Sequence, residues 1–525
     1  MVWEPEVEEL KHRTELSARG GTPDRIERQH RLGRLTVRER IEGLLDAGSF
    51  HEVGALAGLG EYDEGELVDF TPSSYVMGLG KIDGRTVAVG GEDFTIQGGS
   101  ALFPMQRSKG GLGGFCEELA LEYRVPLILL IDGAGANVGA TKKMGTTYLP
   151  NGSGTGRSFV TSIEAMQNVP VLGAVLGAIA GGPSGRAMMV HWSVMTKGRS
   201  AMFAAGPPVV KRGIGHDVTN ESLGGSGVHV HTSGCIDNEA EDEQDAFRQI
   251  RCMLSYLPDN VNELPHSAPI VDAPEGAGEA LIDLVPRNTR RPYSMHKLIC
   301  SVTDGGDFFE VKPYWGTSIV TGFARVDGLP IGIVANNPLK NGGALDRDGS
   351  DKQTHFLELC NYFHIPIVYL VDVPGFMIGE QAEQEGTLRS GMRAMWVGLQ
   401  ATVPQLTIVI RKCYGMAGMA TGNPTRLNYR LGWPSGEWGS IPIEGGVDAA
   451  YRREIANADD PEAKREEIEA ELRELRNVFL TAETFGIEEI IDPRTTRSYL
   501  QQFVERAYKV LPYELEQKPL YGVRP

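Results

Sequence analysis

Two kinds of apolar run alternate along the chain. Leu127–Ile131 and Val171–Val175, like 366–372 and 406–411, are short and unbroken, so each predicts a strand covered on both faces. The stretches 352–364 and 387–399 repeat apolar residues at helical spacing and predict amphipathic helices. Strand, helix and strand in that order describe βαβ units, so the pattern predicts α/β domains with parallel sheets and right-handed crossovers. Near the start, Thr36 and Glu39 have the spacing of a capping box heading a helix through Leu45. The stretch 257–292 holds Pro258, Pro265, Pro269, Pro274, Pro286 and Pro292 with little periodicity, which marks an interdomain connector. The charged stretch 452–476 predicts a solvated amphipathic helix.

This pattern is written twice. Asp46, Gly48, Phe50, Glu52 and Val53 return 258 positions later as Asp304, Gly306, Phe308, Glu310 and Val311. Asp83-Gly84 and Gly98-Gly99 return after 244 positions as Asp327-Gly328 and Gly342-Gly343. The strand that follows Pro126 and ends at Asp132 returns after 240 positions, ending at Asp372; Val169-Pro170 with Gly181-Gly182 returns after 234 as Val403-Pro404 with Gly415-Met416. Constant order with a slowly shrinking offset predicts two homologous domains with small deletions in the second, placed at 1–265 and 290–525.

Composition narrows the chemistry. In 525 residues, 51 Lys plus Arg against 69 Asp plus Glu give a net charge of -18, which repels a polyanionic duplex or an anionic membrane. No nucleic-acid or membrane partner is expected. An anionic small molecule stays open, because Arg107 with Lys109, Lys142 with Lys143, and Arg411 with Lys412 make local basic spots. The six cysteines never form a CxxC pair, which argues against a zinc ribbon or a disulfide framework and fits a reducing cytoplasm. No stretch approaches the roughly 20 apolar residues that span a bilayer. Glycine, at 66 residues, is well above its usual share of about 7%, so backbone groups at turns become candidates for the chemistry.

Parallel sheets bind ligands beyond the carboxyl ends of their strands, which directs attention to the segments leaving Asp132, Ile179, Asp372 and Arg411. All are glycine-rich. Gly177-Ala178-Ile179-Ala180-Gly181-Gly182 and Cys413-Tyr414-Gly415-Met416-Ala417-Gly418 each read as a strand opening into a helix, where free N–H groups can face a developing oxyanion. The plainer reading is that these glycines only permit close packing. His229 and His231 suit either a metal or a structural role, and without a third ligand the structural role is preferred; no metal is expected. Asp132 and Asp372 are open to an acid/base reading, although equivalent aspartates ending equivalent strands more simply cap turns. His191-Trp192 reads as packing.

Several stretches resemble the carboxyltransferase β subunits of biotin-dependent acyl-CoA carboxylases, of propionyl-CoA and methylcrotonoyl-CoA type. They are Leu35-Thr36-Val37-Arg38-Glu39-Arg40-Ile41 with Leu45-Asp46-Ala47-Gly48-Ser49-Phe50, Leu223-Gly224-Gly225 near His229 and His231, Val371-Asp372-Val373-Pro374-Gly375-Phe376, Arg411-Lys412-Cys413-Tyr414-Gly415, and Asp492-Pro493-Arg494. The resemblance implies an α/β chain built as a tandem duplication of two ClpP/crotonase-like domains, the first on the acyl-CoA side and the second on the carboxybiotin side. It implies a carboxyl group moved from carboxybiotin to the α or vinylogous carbon of an acyl-CoA through an enolate. Gly181 and Gly182 match the pair that holds the thioester oxygen, and Met416 and Ala417 the pair that holds the biotin ureido oxygen. Gly133, Ala134, Gly135, Gly415 and Met419 match substrate-lining positions. The biotin itself is implied to take the substrate proton, so no side-chain nucleophile is expected. Carboxylated biotin would arrive on a biotin carboxylase and biotin carboxyl carrier (α) partner, since the chain shows neither a biotinylation site nor the ATP-binding glycine loop. A homohexamer, or a mixed hexamer of β subunits, is implied, with the acyl-CoA and carboxybiotin meeting between the first half of one subunit and the second half of another.

The chain departs from the family pattern in places. Asn137 stands where an arginine is usual, Pro183 removes an N–H beside the expected oxyanion site, and Met419 stands where propionyl-type enzymes carry an aspartate. Two alternatives follow: a decarboxylase subunit working in the opposite direction, or a non-catalytic β subunit of a mixed hexamer.

Overall fold

The computed structural model describes residues 2–100, 107–111, 113–135, 145 and 158–515. The chain divides into two compact units at Val261/Asn262, inside the proline-rich stretch. Each unit is built on one large sheet.

In the first unit the sheet order is His51–Glu52, Tyr75–Ile82, Arg85–Glu92, Leu127–Ile131, Val171–Val175, Trp192–Thr196 and Asn238–Ala240. In the second it is Phe309–Val311, Ile319–Val326, Leu329–Asn336, Ile367–Val373, Gln405–Tyr414, Tyr429–Gly432 and Glu489–Ile490, with Glu437–Gly439 also pairing Gln405–Tyr414. The expected parallel sheets need correction: the first three strands of each sheet are antiparallel, and only the rest are parallel. The physical cause is the repeated Asp-Gly pair. Asp83-Gly84 and Asp327-Gly328 both take positive φ, as a two-residue hairpin turn requires. The carboxylate of Asp46 accepts both turn N–H groups, at 3.0 and 2.8 Å, and that of Asp304 does the same at 3.1 and 2.7 Å.

The runs expected as covered strands are so: every residue of Leu127–Ile131 and of Ile367–Val373 is buried. The helix expected over 352–364 starts earlier, as Arg347–Tyr362, because the Asp346 carboxylate caps its first turn at Gly349 N–H. The helix expected over 387–399 is Thr387–Gln400. The capping box is formed, with Thr36 and Glu39 bonded reciprocally ahead of Val37–Leu44. The single helix expected over 452–476 is two, Arg452–Ala456 and Pro461–Leu475. Pro461 cannot continue a helix from behind but suits the first turn of a new one, which Asp460 caps. The amphipathic pattern did not announce the helices Glu4–Ala18 and Pro23–Arg31 or the hairpin Gly58–Asp63 with Glu66–Pro72, where polar residues dominate. Among the described residues no helix is long and apolar enough to cross a membrane.

Candidate functional site

In the first unit the sequence-predicted glycine segments come together. Beyond Val171–Val175 the chain forms a short strand, Ala178–Ala180, paired in parallel with Ala201–Phe203, and then the helix Gly182–Ala187. Gly181 caps that helix with φ 65° and ψ -117°, a conformation that a side chain would disfavour. The Ala180 N–H donates to Gly133 O at 3.3 Å, the Ala134 N–H to Gly98 O at 2.9 Å, and the Ser100 hydroxyl to Gly135 O at 2.8 Å. Thus Gly133, Ala134 and Gly135 lie against the Gly181-Gly182 turn and the Gly98-Gly99 turn. Close approach demands glycine at Gly99, where a Cβ would meet Asp132 O at 2.7 Å; at the equivalent Gly343 it would meet Asp372 O at 2.2 Å.

The two expected donors are not equivalent. The Gly181 N–H extends the strand ladder and donates to Phe203 O at 3.3 Å, an acceptor shared with the Ser184 hydroxyl at 2.9 Å. The Gly182 N–H, at the start of the helix, donates to no other described residue. Pro183 is the second helical residue, a position whose N–H has no intrahelical acceptor, so its ring costs the helix nothing.

Beneath this turn lie charges that sequence reasoning did not connect. Glu92 Oε2 accepts the Asp132 N–H at 3.2 Å, and Oε1 meets Arg186 in a buried ion pair. Arg186 also donates to Gly111 O at 2.6 Å. Burial alone would lower its pKa, and Glu92 with Tyr75 and Glu117 more than reverses this, so the guanidinium stays charged. Asp132 is itself held by Arg40 Nη1 at 2.8 Å and Gln29 at 3.1 Å, while Arg40 grips both oxygens of Glu243 at 2.8 and 2.9 Å. In the second unit Asp372 pairs with Arg411 at 2.9 Å and accepts the Lys412 N–H at 3.1 Å. Both aspartates therefore anchor strand ends through buried ion pairs with arginines. The only sequence signal was their equivalence between the copies.

The second turn repeats the design. Gln405–Tyr414 leads into the helix Gly415–Met419, with Gly415 at φ 59°. The N–H groups of Met416 and Ala417 begin that helix and donate to no other described residue. Ala417 is buried, whereas Met416 is 46% and Met419 65% exposed. Gly415, Gly418 and Met419 line a cavity of about 380 Å³ with Cys413, Trp438 and Asn428. Burial pushes the Cys413 thiol up to about 11, so it is protonated at neutral pH and is no nucleophile.

The histidines have structural partners. His229 Nε2 donates to Met202 O at 2.6 Å, steadying the strand beside the first turn, and His231 meets Glu239 at 3.2 Å. His191 Nδ1 accepts the Val171 N–H at 2.9 Å, and the Trp192 ring N–H donates to Asn238 at 3.2 Å. Among the described residues no group of three or more His, Cys, Asp or Glu could hold a metal ion. Asn137, Lys142 and Lys143 lie outside the described residues.

The family model for the carboxyl transferase domain matches residues 28–514. The propionyl-CoA carboxylase carboxyltransferase subunit of Haloferax mediterranei is 36% identical over 505 residues, 95% of each chain. The methylmalonyl-CoA decarboxylase subunit alpha of Propionigenium modestum is 33% identical over 518 residues, 98% of this chain and 97% of its own. A solved structure of transcarboxylase 12S, a hexamer with methylmalonyl-coenzyme A and methylmalonic acid bound, superposes with a TM-score of 0.85 at 35% identity, covering 96% of this chain and 95% of that one. A match of this extent, on a chain whose two units repeat one sheet and one glycine turn, places the protein in the carboxyl transferase domain family.

Proposed function

We propose that the chain is the carboxyltransferase component of a biotin-dependent acyl-CoA carboxylase, transferring a carboxyl group between carboxybiotin and the carbon beside a CoA thioester. The observation that carries this reading is the pair of strand-end turns, at equivalent places in the two units, whose Gly182, Met416 and Ala417 N–H groups donate to no other described residue. Forming an enolate concentrates negative charge on the thioester oxygen, and fixed donors that need no reorganisation lower that barrier. The Gly182 N–H is the principal donor, and Gly181, whose own bond is long at 3.3 Å, shapes the turn and shares its N–H. Gly133, Ala134 and Gly135 border the thioester.

The Met416 and Ala417 N–H groups receive the ureido oxygen of biotin. The residues present fit that group: the cavity of about 380 Å³ beside this turn admits a small bicyclic ligand, and its walls, including Met419 and Trp438, are largely apolar. Bound carboxybiotin supplies the carboxyl group, and the chain's own part is to hold the ring and to favour negative charge on its oxygen. Because the turns are symmetric in action, they serve either direction, and the 33% identity to a decarboxylase subunit favours decarboxylation as the second reading. Pro183 leaves the Gly182 N–H in place, which weighs against a non-catalytic subunit. The chain works as a hexamer of its own kind or with a second β subunit, alongside a biotin-carrying α partner in the cytoplasm.

The test is carboxyl transfer in reverse by the purified protein, with a panel of malonyl-type CoA thioesters and excess free biotin, scored by mass. One thioester should lose its carboxyl group. Gly182→Val keeps the backbone N–H but sets a branched side chain where the thioester oxygen must approach it, and should cut turnover by roughly a hundredfold or more, as much as an unused oxyanion donor costs. A folded protein that binds CoA thioesters yet turns over none overturns the reading.

A further inference from the structure

We propose that Arg186 and Glu92 form a charge-neutral positioning pair for the enolate step, in which Arg186 cancels a buried carboxylate that would otherwise oppose negative charge growing at the Gly182 N–H. The proposal rests on the reading of Gly181-Gly182 as the thioester-oxygen site. Glu92 lies against the site: a Cβ built on Gly133 would be 3.2 Å from both Glu92 Cγ and Pro183 Cγ. One carboxylate oxygen fixes the strand end through the Asp132 N–H at 3.2 Å, and the other fixes Arg186, four residues after Gly182 on the helix the turn opens. Both side chains are almost fully buried, so their charges act through a weakly screening medium.

The second unit shows that this carboxylate is not needed for the backbone bond. There Asn336 occupies the equivalent place, and its amide oxygen accepts the Asp372 N–H at the same 3.2 Å. The position equivalent to Arg186 is Ala420, so the second turn has neither the anion nor its counter-ion. In the first unit the pair therefore adds a function beyond fixing the strand end. The guanidinium is also drawn on by Tyr75, whose ring centroid lies 5.9 Å away, and by Glu117, whose carboxyl is pushed up by burial and pulled down by Arg186. Among the described residues Arg186 thus faces more than one acidic group, and its removal leaves the buried Glu92 carboxylate without its ion-pair partner.

Arg186→Met and Glu92→Gln break the same ion pair but leave opposite charges behind, which separates electrostatics from structural damage. Arg186→Met should lower kcat by about tenfold to a hundredfold with KM little changed, a loss exceeding that of Glu92→Gln by about tenfold. Adding Glu92→Gln to Arg186→Met should restore most of it, and Arg186→Lys, which keeps the charge, should lose less than Arg186→Met. Equal losses in the two single variants, or no recovery in the double variant, overturn the proposal. A second readout needs no turnover: binding of a nitro analogue of the acyl group on CoA, ionised to its nitronate as an enolate mimic. The wild type should prefer the nitronate to the uncharged thioester, and Arg186→Met should lose that preference by about tenfold. If the wild type transfers no carboxyl group yet shows this Arg186-dependent preference, the proposed function falls and the pair stands. If it transfers carboxyl groups while the single variants behave alike, the pair falls and the function stands.

Discussion

Asp46 and Asp304 each commit a whole carboxylate to the two N–H groups of an Asp-Gly turn, and this one contact explains why the first strands of both sheets fold back on themselves. The Gly84 N–H, opposed by partial burial and aided by the Asp83 N–H and Arg251, holds the Asp46 carboxyl below the usual carboxylate range. A depressed folded-state pKa means that the stabilisation is present above the unfolded value, near ~3.9, and is lost as pH falls through the folded one. Wild type should therefore exceed Asp46→Asn in urea stability at neutral pH, and the gap should close below about pH 4. Gly177 poses a different constraint at the same scale. A Cβ there would lie 1.8 Å from Asp132 Oδ1, so Gly177→Ala should destabilise the first unit by about 1–3 kcal/mol and disturb the Gly133 loop, readable in denaturant melts and in KM for the CoA thioester.

Between elements, the two copies reach the same ion pair by different routes. Arg411 supplies its cation from the strand that neighbours Asp372. The equivalent position in the first copy is Gly177, and the cation comes instead from Arg40 on the helix Val37–Leu44, which then recruits Glu243. The duplication, the strand runs and both glycine turns were legible in sequence because each is a local pattern with a fixed period or spacing. The exchange of Gly177 for Arg411 was not, since its compensation lies 137 positions away at Arg40. Breaking a buried pair by removing one partner strands the other charge, so Arg40→Met should cost about 3–5 kcal/mol, and Arg411→Met a similar amount. Denaturant unfolding of each variant measures this.

Across the whole molecule, two separately cored units carry one architecture, each with its own apolar cluster. Hydrogen exchange should place the loss from Arg40→Met in the first unit, at Leu127–Ile131 and Glu243–Tyr256, and the loss from Arg411→Met in the second, at Ile367–Val373 and Gln405–Tyr414. By itself the sequence determined that the chain is a duplicated α/β protein with glycine turns at matching strand ends, because periodicity and repeat spacing are properties of the linear chain. Tertiary structure alone decided that Phe203 takes the Gly181 N–H and leaves that of Gly182, and that Arg40 and Arg186 neutralise Asp132 and Glu92. Buried donors and charges choose partners by what packing brings within hydrogen-bond reach, and no local pattern in the chain encodes that choice.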